Sequence, residues 1–337
     1  WSPAVNSEYY GNIIFNNGWY APDRGHGHGV YTQNDTGTKS YIDNIILNNF
    51  GNGWQIYGSD KSKLKNFYLE GNVMFNDRWL IGGGSPLQNI TLNTNFSYKD
   101  MPQFGYSSQQ NDGLVLHDNY FPSGISLFWW NNVTATRNTI FAGGSLSSPI
   151  NMMFAGTPDL STFHFDSNTY YRADSSLSAK QLEFAWTNTS LAKNDTNRIN
   201  RSGLINLPDW RQKGQDLHAK LEYFQMKNAT TLAISGNKIF IRKNKYDSNR
   251  ATIIVYNWDQ ANTVSVNVKG ILSAGDYYEL HNVEDDFGDI TMGKFKRGGL
   301  VFPMREHTVA KPLGYKEEMG PNTFPEFGTF ILIKIAK

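Results

Sequence analysis

No cysteine occurs among the 337 residues, which excludes disulfides, thiolate chemistry and iron–sulfur sites. That absence does not choose a compartment, because large repeat folds outside the cell often need no such staples. Charge is sparse as well: 31 basic and 30 acidic residues give a net charge of +1, and only 18% of the chain is charged. Lys and Arg are scattered rather than striped along one face, so there is no electrostatic footprint for nucleic acid. No apolar run approaches the roughly 18 to 20 residues of a membrane span, and none is expected. Helix-period segments are missing between the repeated phrases described next, which excludes leucine-rich and helical repeats. An initiator Met and a basic-then-apolar leader are absent too. The opening Trp1-Ser2-Pro3-Ala4-Val5-Asn6 reads as processed or as part of a longer chain.

What is present is a repeated phrase, Asn-X-X-[Phe/Leu/Tyr], starting at Asn12, Asn44, Asn72, Asn95, Asn138 and Asn168, with a weaker copy at Asn119. Spacings of roughly 20 to 30 residues are those of a solenoid. The fillers are short β-runs bounded by Gly, Asn and Asp, such as Trp54-Gln55-Ile56-Tyr57 and Leu114-Val115-Leu116. A parallel β-helix follows, with the repeated Asn residues stacked as a side-chain ladder at one corner.

In the phrases themselves both alternating faces are apolar. Ile13, Phe15, Ile45, Leu47, Val73 and Phe75 point one way, and Ile14, Ile46 and Met74 the other. A strand wet on one side would alternate polar and apolar, so the Ile14, Ile46, Met74 row is expected to face outward under another domain or subunit. The first coil would also present unpaired backbone groups; an N-terminal partner chain or a missing segment is expected to cap it, and an oligomer is expected.

The phrase stops near Arg172. Residues 172–237 read as a connector packed on the outside of the rod, and residues 1–171 as the parallel β-helix. Denser β-signals follow at 238–242, 251–258, 263–268, 276–280, 300–304 and 327–335, separated by turn residues. These imply an antiparallel β-sandwich over 238–337.

Candidate chemistry concentrates in Asp23-Arg24-Gly25-His26-Gly27-His28-Gly29-Val30-Tyr31. On an extended segment His26 and His28 share a face, and with Asp23 they resemble part of a Zn or Cu site. A third strong ligand is hard to name, His117 being the only other histidine in the well-defined coils, so no metal is assigned. Alternatively His26, His28 or Tyr31 acts as a base, with Arg24 or Lys39 neutralising a uronate carboxylate during β-elimination. Against both stands the structural use of alternating glycines at a tight corner, where histidines simply pack.

Tyr57, Tyr68, Phe128, Trp129 and Trp130 add sugar-stacking surface or buried packing; three consecutive aromatics at 128–130 cannot all point inward on a strand. Glu284, Asp285, Asp286 and Asp289 could hold Ca²⁺, although an acidic surface loop is the commoner outcome. Asn-X-Ser/Thr sequons stand at Asn34, Asn89, Asn95, Asn132, Asn188, Asn194, Asn200 and Asn228. They would suit a glycosylated surface protein, but a chain this rich in Asn, Ser and Thr produces several by chance.

The runs GNIIFNN (11–17), RGHGHGVYTQN (24–34), DNIILNN (43–49) and GWQIYGS (53–59), with LPDWRQKGQD (207–216), FIRKNKYDSNRATIIVYNWD (240–259) and GDYYELHNVEDDFGD (275–289), resemble the right-handed parallel β-helix proteins of the pectate-lyase-like superfold that carry a C-terminal β-sandwich. The resemblance spans most of the chain and implies an all-β fold, secretion or a cell-surface location, and a polysaccharide partner. The superfold includes polysaccharide lyases, glycosidases, epimerases, adhesins and viral tailspikes, so fold analogy alone does not choose an activity. Polygalacturonase-like glycosidases carry Gly-His-Gly, but with upstream Asp clusters and a downstream Arg-Ile-Lys that this chain lacks. Two functions follow as expectations. The first is binding or cleavage of an extracellular polysaccharide, as a lyase or glycoside hydrolase if cleavage occurs, with Arg24, His26, His28, Tyr31 and Lys39 lining the groove. The second is a non-catalytic structural subunit of a sheath, filament or surface layer.

Overall fold

The structure is a computed structural model that describes residues 4–105, 109–142, 148–154, 158–173, 184–188, 204–226, 232–314 and 320–335. The chain is all-β and divides into two compact units, Trp1–Thr230 and Thr231–Lys337.

The first unit is a parallel β-helix with three sheets. Sheet one stacks Glu8–Tyr10, Lys39–Ile42, Leu64–Glu70, Leu87–Asn93, Asn111–His117, Trp130–Thr136 and Phe163–Asp166. Sheet two runs from Ile13–Phe15 through Ile45–Leu47, Val73–Phe75, Phe96–Tyr98, Tyr120–Phe121 and Thr139–Phe141 to Thr169–Ala173. Sheet three begins at His28–Thr32 and continues through Asn52–Ile56, Trp79–Ile81, Gln103–Phe104 and Ile125–Phe128 to Ile150–Phe154.

The corner between sheets one and two explains the repeated phrase. The residue before each phrase turns the chain in the left-handed region, as at Gly11 (φ 65°), Asp43 (φ 54°), Thr94 (φ 56°) and Arg137 (φ 55°). The Asn that follows points inward. Its Nδ2 donates to Oδ1 of the Asn one coil on, at 2.7 Å from Asn12 to Asn44, 3.0 Å from Asn44 to Asn72 and 2.9 Å from Asn72 to Asn95. The chain of amides continues through Asn119 and Asn138 to Asn168. From Asn44 on, each second Nδ2 proton goes to a carbonyl of sheet one in the preceding coil, for example Tyr9, Tyr41 and Leu69. Buried amides are thereby satisfied at every rung.

That inward Asn also fixes the parity of sheet two. With Asn44 and Asn72 inside, residues two further on are inside as well, and Ile46 and Met74 are fully buried in the rod core beside Trp54 and Trp79, with Ile14 packed against it. This corrects the expectation that Ile14, Ile46 and Met74 face outward. The outward row is Ile45, Leu47, Val73 and Phe75, and it too is buried within this one chain. Apolar residues on both faces thus mark a sheet buried on both faces.

Residues 172–237 differ from a connector on the rod's exterior. Phe184–Asn188 pairs in parallel with Ile150–Phe154 in sheet three, and Lys220–Met226 pairs in parallel with Thr169–Ala173 in sheet two. Between them the short helix Leu207–Gln212 starts at Asn206, whose side chain accepts from Asp209 N at 2.8 Å, with Pro208 in the first turn. It places Leu207 and Trp210 in the rod core. Asp216 then receives the last ladder donor, Asn168 Nδ2, at 2.8 Å, together with the Tyr170 hydroxyl at 2.6 Å and Trp210 Nε1 at 3.2 Å.

The second unit is an antiparallel sandwich. One sheet has the order Lys238–Lys243, Arg250–Tyr256, Phe327–Ile335, Tyr277–Asn282, Ile290–Lys294, and the other pairs Thr263–Val266 with Leu300–Pro303. Ile253, Val264, Leu280, Phe302 and Phe330 share one core between the sheets. The edge strand Ile290–Lys294 went unread in the sequence, because its alternation spans only Ile290 to Gly293 and its residues are mostly exposed.

Candidate functional site

The histidine-rich knot is a hairpin. Trp19–Tyr20 pairs antiparallel with Gly25–His26, Trp19 opposite His26 and Tyr20 opposite Gly25. Pro22 sets the turn, which is closed by Ala21 N donating to Arg24 O at 2.9 Å. The glycines answer to close approach: a Cβ on Gly25 would lie 1.7 Å from Phe50 O in the next coil, and Gly27, at φ +99°, would meet Gly18 Cα at 2.4 Å.

Gly27 also separates the two histidines. His26 Nε2 lies 2.9 Å from Asp23 Oδ1, and its ring stacks on Trp19 at 5.6 Å. The hydrogen bond to His26 holds the Asp23 carboxyl below its usual range. His28 starts the first strand of sheet three. Its Nδ1 accepts from Asn52 N at 3.2 Å, which fixes the proton on Nε2, and its ring stacks on Tyr31 at 5.6 Å. Burial pushes the His28 imidazole down, and the nearby Arg24 and His26 add to it. His28 is therefore neutral near pH 7.

Four of the five sequence candidates lie close in the chain and form two linked clusters: Arg24 with Asp23 and His26 on the hairpin, and His28 with Tyr31 on sheet three. Lys39 stands apart. It is 1% exposed, its Nζ donates to Gln33 O at 2.7 Å, and burial lowers its pKa. It supports the first coil from within and is not positioned to neutralise a ligand carboxylate.

Two residues were missed by sequence reasoning: Trp19 and Tyr20, 60% and 57% exposed. Their signal was adjacency, a Trp-Tyr pair directly before a Pro turn and the glycine-rich run. Tyr31 is 41% exposed and contacts Tyr57 edge-on at 6.3 Å. It also lines a cavity of about 240 Å³ at the first coil, with Tyr9, Ile14, Val30 and Tyr41. Of the three consecutive aromatics, Trp130 is buried with Nε1 donating to Phe104 O at 3.0 Å, whereas Phe128 and Trp129 are half-buried.

Two rows of polar groups run elsewhere along the rod. Across sheet one Glu70, Asn93, His117, Thr136 and Asp166 are in register, each two residues before a ladder Asn. Four rungs separate Glu70 from Asp166, about 19 Å at the usual strand spacing, too far for two carboxylates to act on one glycosidic bond. At the corner after sheet two, Asn17 donates to Asn49 at 2.9 Å and Asn49 to Asp77 at 2.6 Å, with Asp100 on the next rung. Desolvation pushes the half-buried Asp77 and Asp100 carboxyls up to about 7.

In the sandwich unit, the acidic run considered for Ca²⁺ is engaged with protein donors. Asp285 accepts from Thr308 Oγ1 at 2.6 Å, Asp289 meets His307 Nδ1 at 2.7 Å, and buried Glu284 accepts from Thr323 N at 3.2 Å. Among the described residues, no group of three or more His, Asp or Glu side chains is arranged to hold a metal ion. No described helix is long and apolar enough to cross a membrane. Compared with protein-family models, with curated proteins and with solved structures, the chain matches none of them.

Proposed function

We propose that the protein is an extracellular or cell-surface β-helix protein of the pectate-lyase-like type that binds a polysaccharide through the hairpin at residues 19–26. The observation that carries this reading is the exposed Trp19–Tyr20 pair beside the exposed Arg24. A sugar ring offers an apolar C–H face to an aromatic ring, and its hydroxyls or carboxylate suit the guanidinium. His26 holds one side of Trp19, which pre-organises the platform and lowers the entropy cost of binding.

Binding is favoured over cleavage as the primary role. Neutral His28 with its proton on Nε2 and Tyr31 could serve proton transfer, but no described lysine joins them, and their rings pack on each other. The direct test titrates the purified chain with a panel of neutral and acidic polysaccharides, following binding while monitoring unsaturated and reducing ends. Binding weakened about tenfold in Trp19→Ala and weakened also in Arg24→Ala, at unchanged thermal stability, is expected. Wild-type affinity in Trp19→Ala would overturn the reading, and products lost in His28→Ala would extend it to catalysis.

A structural subunit is the second reading. In the sandwich unit Phe287, Ile290 and Met292 are exposed on or beside the edge strand Ile290–Lys294, a surface suited to pairing with another chain. Sedimentation of the purified protein separates the two: a large regular assembly with no glycan bound would select this alternative.

A further inference from the structure

The eight sequons are chemically unequal once placed in the fold. N-glycosylation consumes one of the two Nδ2 protons of the asparagine, so an acceptor must have a proton to lose and open space in front of it. Asn95 fails on both counts. It is 0% exposed, and its Nδ2 donates to Leu69 O at 2.9 Å and to Asn119 Oδ1 at 3.1 Å within the ladder. Asn34 fails likewise at 7% exposure, donating to Lys65 O at 2.9 Å and Gly37 O at 3.1 Å.

Asn89 and Asn132 are the opposite case. Both are exposed and in the left-handed region, at φ 55° and 50°, on the outer face of sheet one. Each uses Nδ2 for one hydrogen bond, Asn89 to Asn66 Oδ1 at 3.0 Å and Asn132 to Asp112 Oδ1 at 2.6 Å. One proton is therefore free on each, and the existing bond survives substitution of the other. The following residues, Ile90 and Val133, are buried in the rod core, which fixes the direction in which each Asn leaves the sheet. The strand register sets Gly113 between them, so the rung separating the two amides carries no side chain. Two rungs are about 10 Å, room for two glycans side by side.

We propose that Asn89 and Asn132 are paired N-glycan acceptors, and that Asn34 and Asn95 are not. In the transfer, Nδ2 displaces the pyrophosphate from C1 of a lipid-linked oligosaccharide; the C1–O bond breaks, the C1–Nδ2 bond forms, and one amide proton leaves with the lipid pyrophosphate. The inference rests on the extracellular placement but not on the hairpin as a binding site. Asn188 has no described side chain, and Asn194, Asn200 and Asn228 lie outside the described residues.

The test is site mapping by mass spectrometry of the full chain secreted from a eukaryotic cell, before and after amidase release of N-glycans. Occupancy is expected at Asn89 and Asn132, with that at each removed by Asn89→Gln or Asn132→Gln, and unmodified peptides at Asn34 and Asn95. Soluble protein carrying glycan at Asn34 or Asn95, or none at Asn89 and Asn132, would overturn the proposal. Thr91→Val and Thr134→Val, which abolish the sequons and leave the asparagines, should give the same losses. Polysaccharide binding by the double Gln variant should be unchanged; its loss would count against the hairpin reading and leave the acceptor assignment standing.

Discussion

Removing the Asp216 carboxylate should destabilise the β-helix far more than a surface substitution. Asp216 is 0% exposed and accepts from Asn168 Nδ2, the Tyr170 hydroxyl and Trp210 Nε1. Asp216→Ala leaves three buried donors without an acceptor, at about 1–3 kcal/mol each. Entry of a water would recover part of this, so a loss of about 3–6 kcal/mol is expected, a large share of a domain's usual stability of about 5–15 kcal/mol. The aligned ladder amides add a second reason, because their positive ends point toward Asn168 and the carboxylate meets them there, as at a helix N-terminus. Asp216→Asn keeps the bond from Asn168 but turns an N–H toward Trp210 Nε1, and should cost about 1–3 kcal/mol. Tyr170→Phe in the Asp216→Ala background removes one orphaned donor and should cost less than it does in the wild type, which a double-mutant cycle reads directly. Denaturant unfolding followed by tryptophan fluorescence, with the two units fitted separately, gives the numbers. An Asp216→Ala variant within about 0.5 kcal/mol of wild type would refute the reasoning.

The Asp77 and Asp100 carboxyls, pushed up to about 7 from 3.8, bind protons more tightly folded than unfolded. Their contribution is therefore fully present below about pH 4 and is lost as pH rises through about 7. Thermal unfolding between about pH 5 and pH 8 should show a fall that shrinks in Asp77→Asn and in Asp100→Asn; an undiminished fall in both variants would count against it. Gly25→Ala should cost about 3 kcal/mol, because its Cβ would sit 1.7 Å from Phe50 O, and should abolish polysaccharide binding with it; a melting temperature equal to wild type would show that the hairpin does not rest on the next coil. Trp19→Ala should weaken polysaccharide binding about tenfold, as loss of one stacking contact of about 1.4 kcal/mol implies, with no change in unfolding midpoint.

The repeat phrase carried the ladder into view because each Asn acts on its neighbour one coil away, and a local pattern repeated at that interval is legible in one dimension. Parity was misread for a related reason. An Asn looks like a surface residue, and only the chain of amide bonds from Asn12 to Asn168 shows that the polar side chain points inward and carries Ile46 and Met74 with it. The end of the ladder was harder to see, since Asp216 meets Asn168 across 48 residues and nothing in Leu207–Gln212 repeats an earlier phrase.

At the candidate site the spacing of two between His26 and His28 argued for a shared face, and that argument holds only for extended backbone. Gly27 at φ +99° breaks it, sending one ring to Trp19 and the other to Tyr31. The same glycines that drew notice as a reactive motif are required by contacts with Phe50 and Gly18, and the exposed aromatic surface lies on the neighbours Trp19 and Tyr20 that the motif obscured. The hairpin is therefore tied to the scaffold through its backbone: Gly25 lets it lie on Phe50 of the next coil, Gly27 lets its base close on Gly18, and that seat is what holds Trp19, Tyr20 and Arg24 out in solvent.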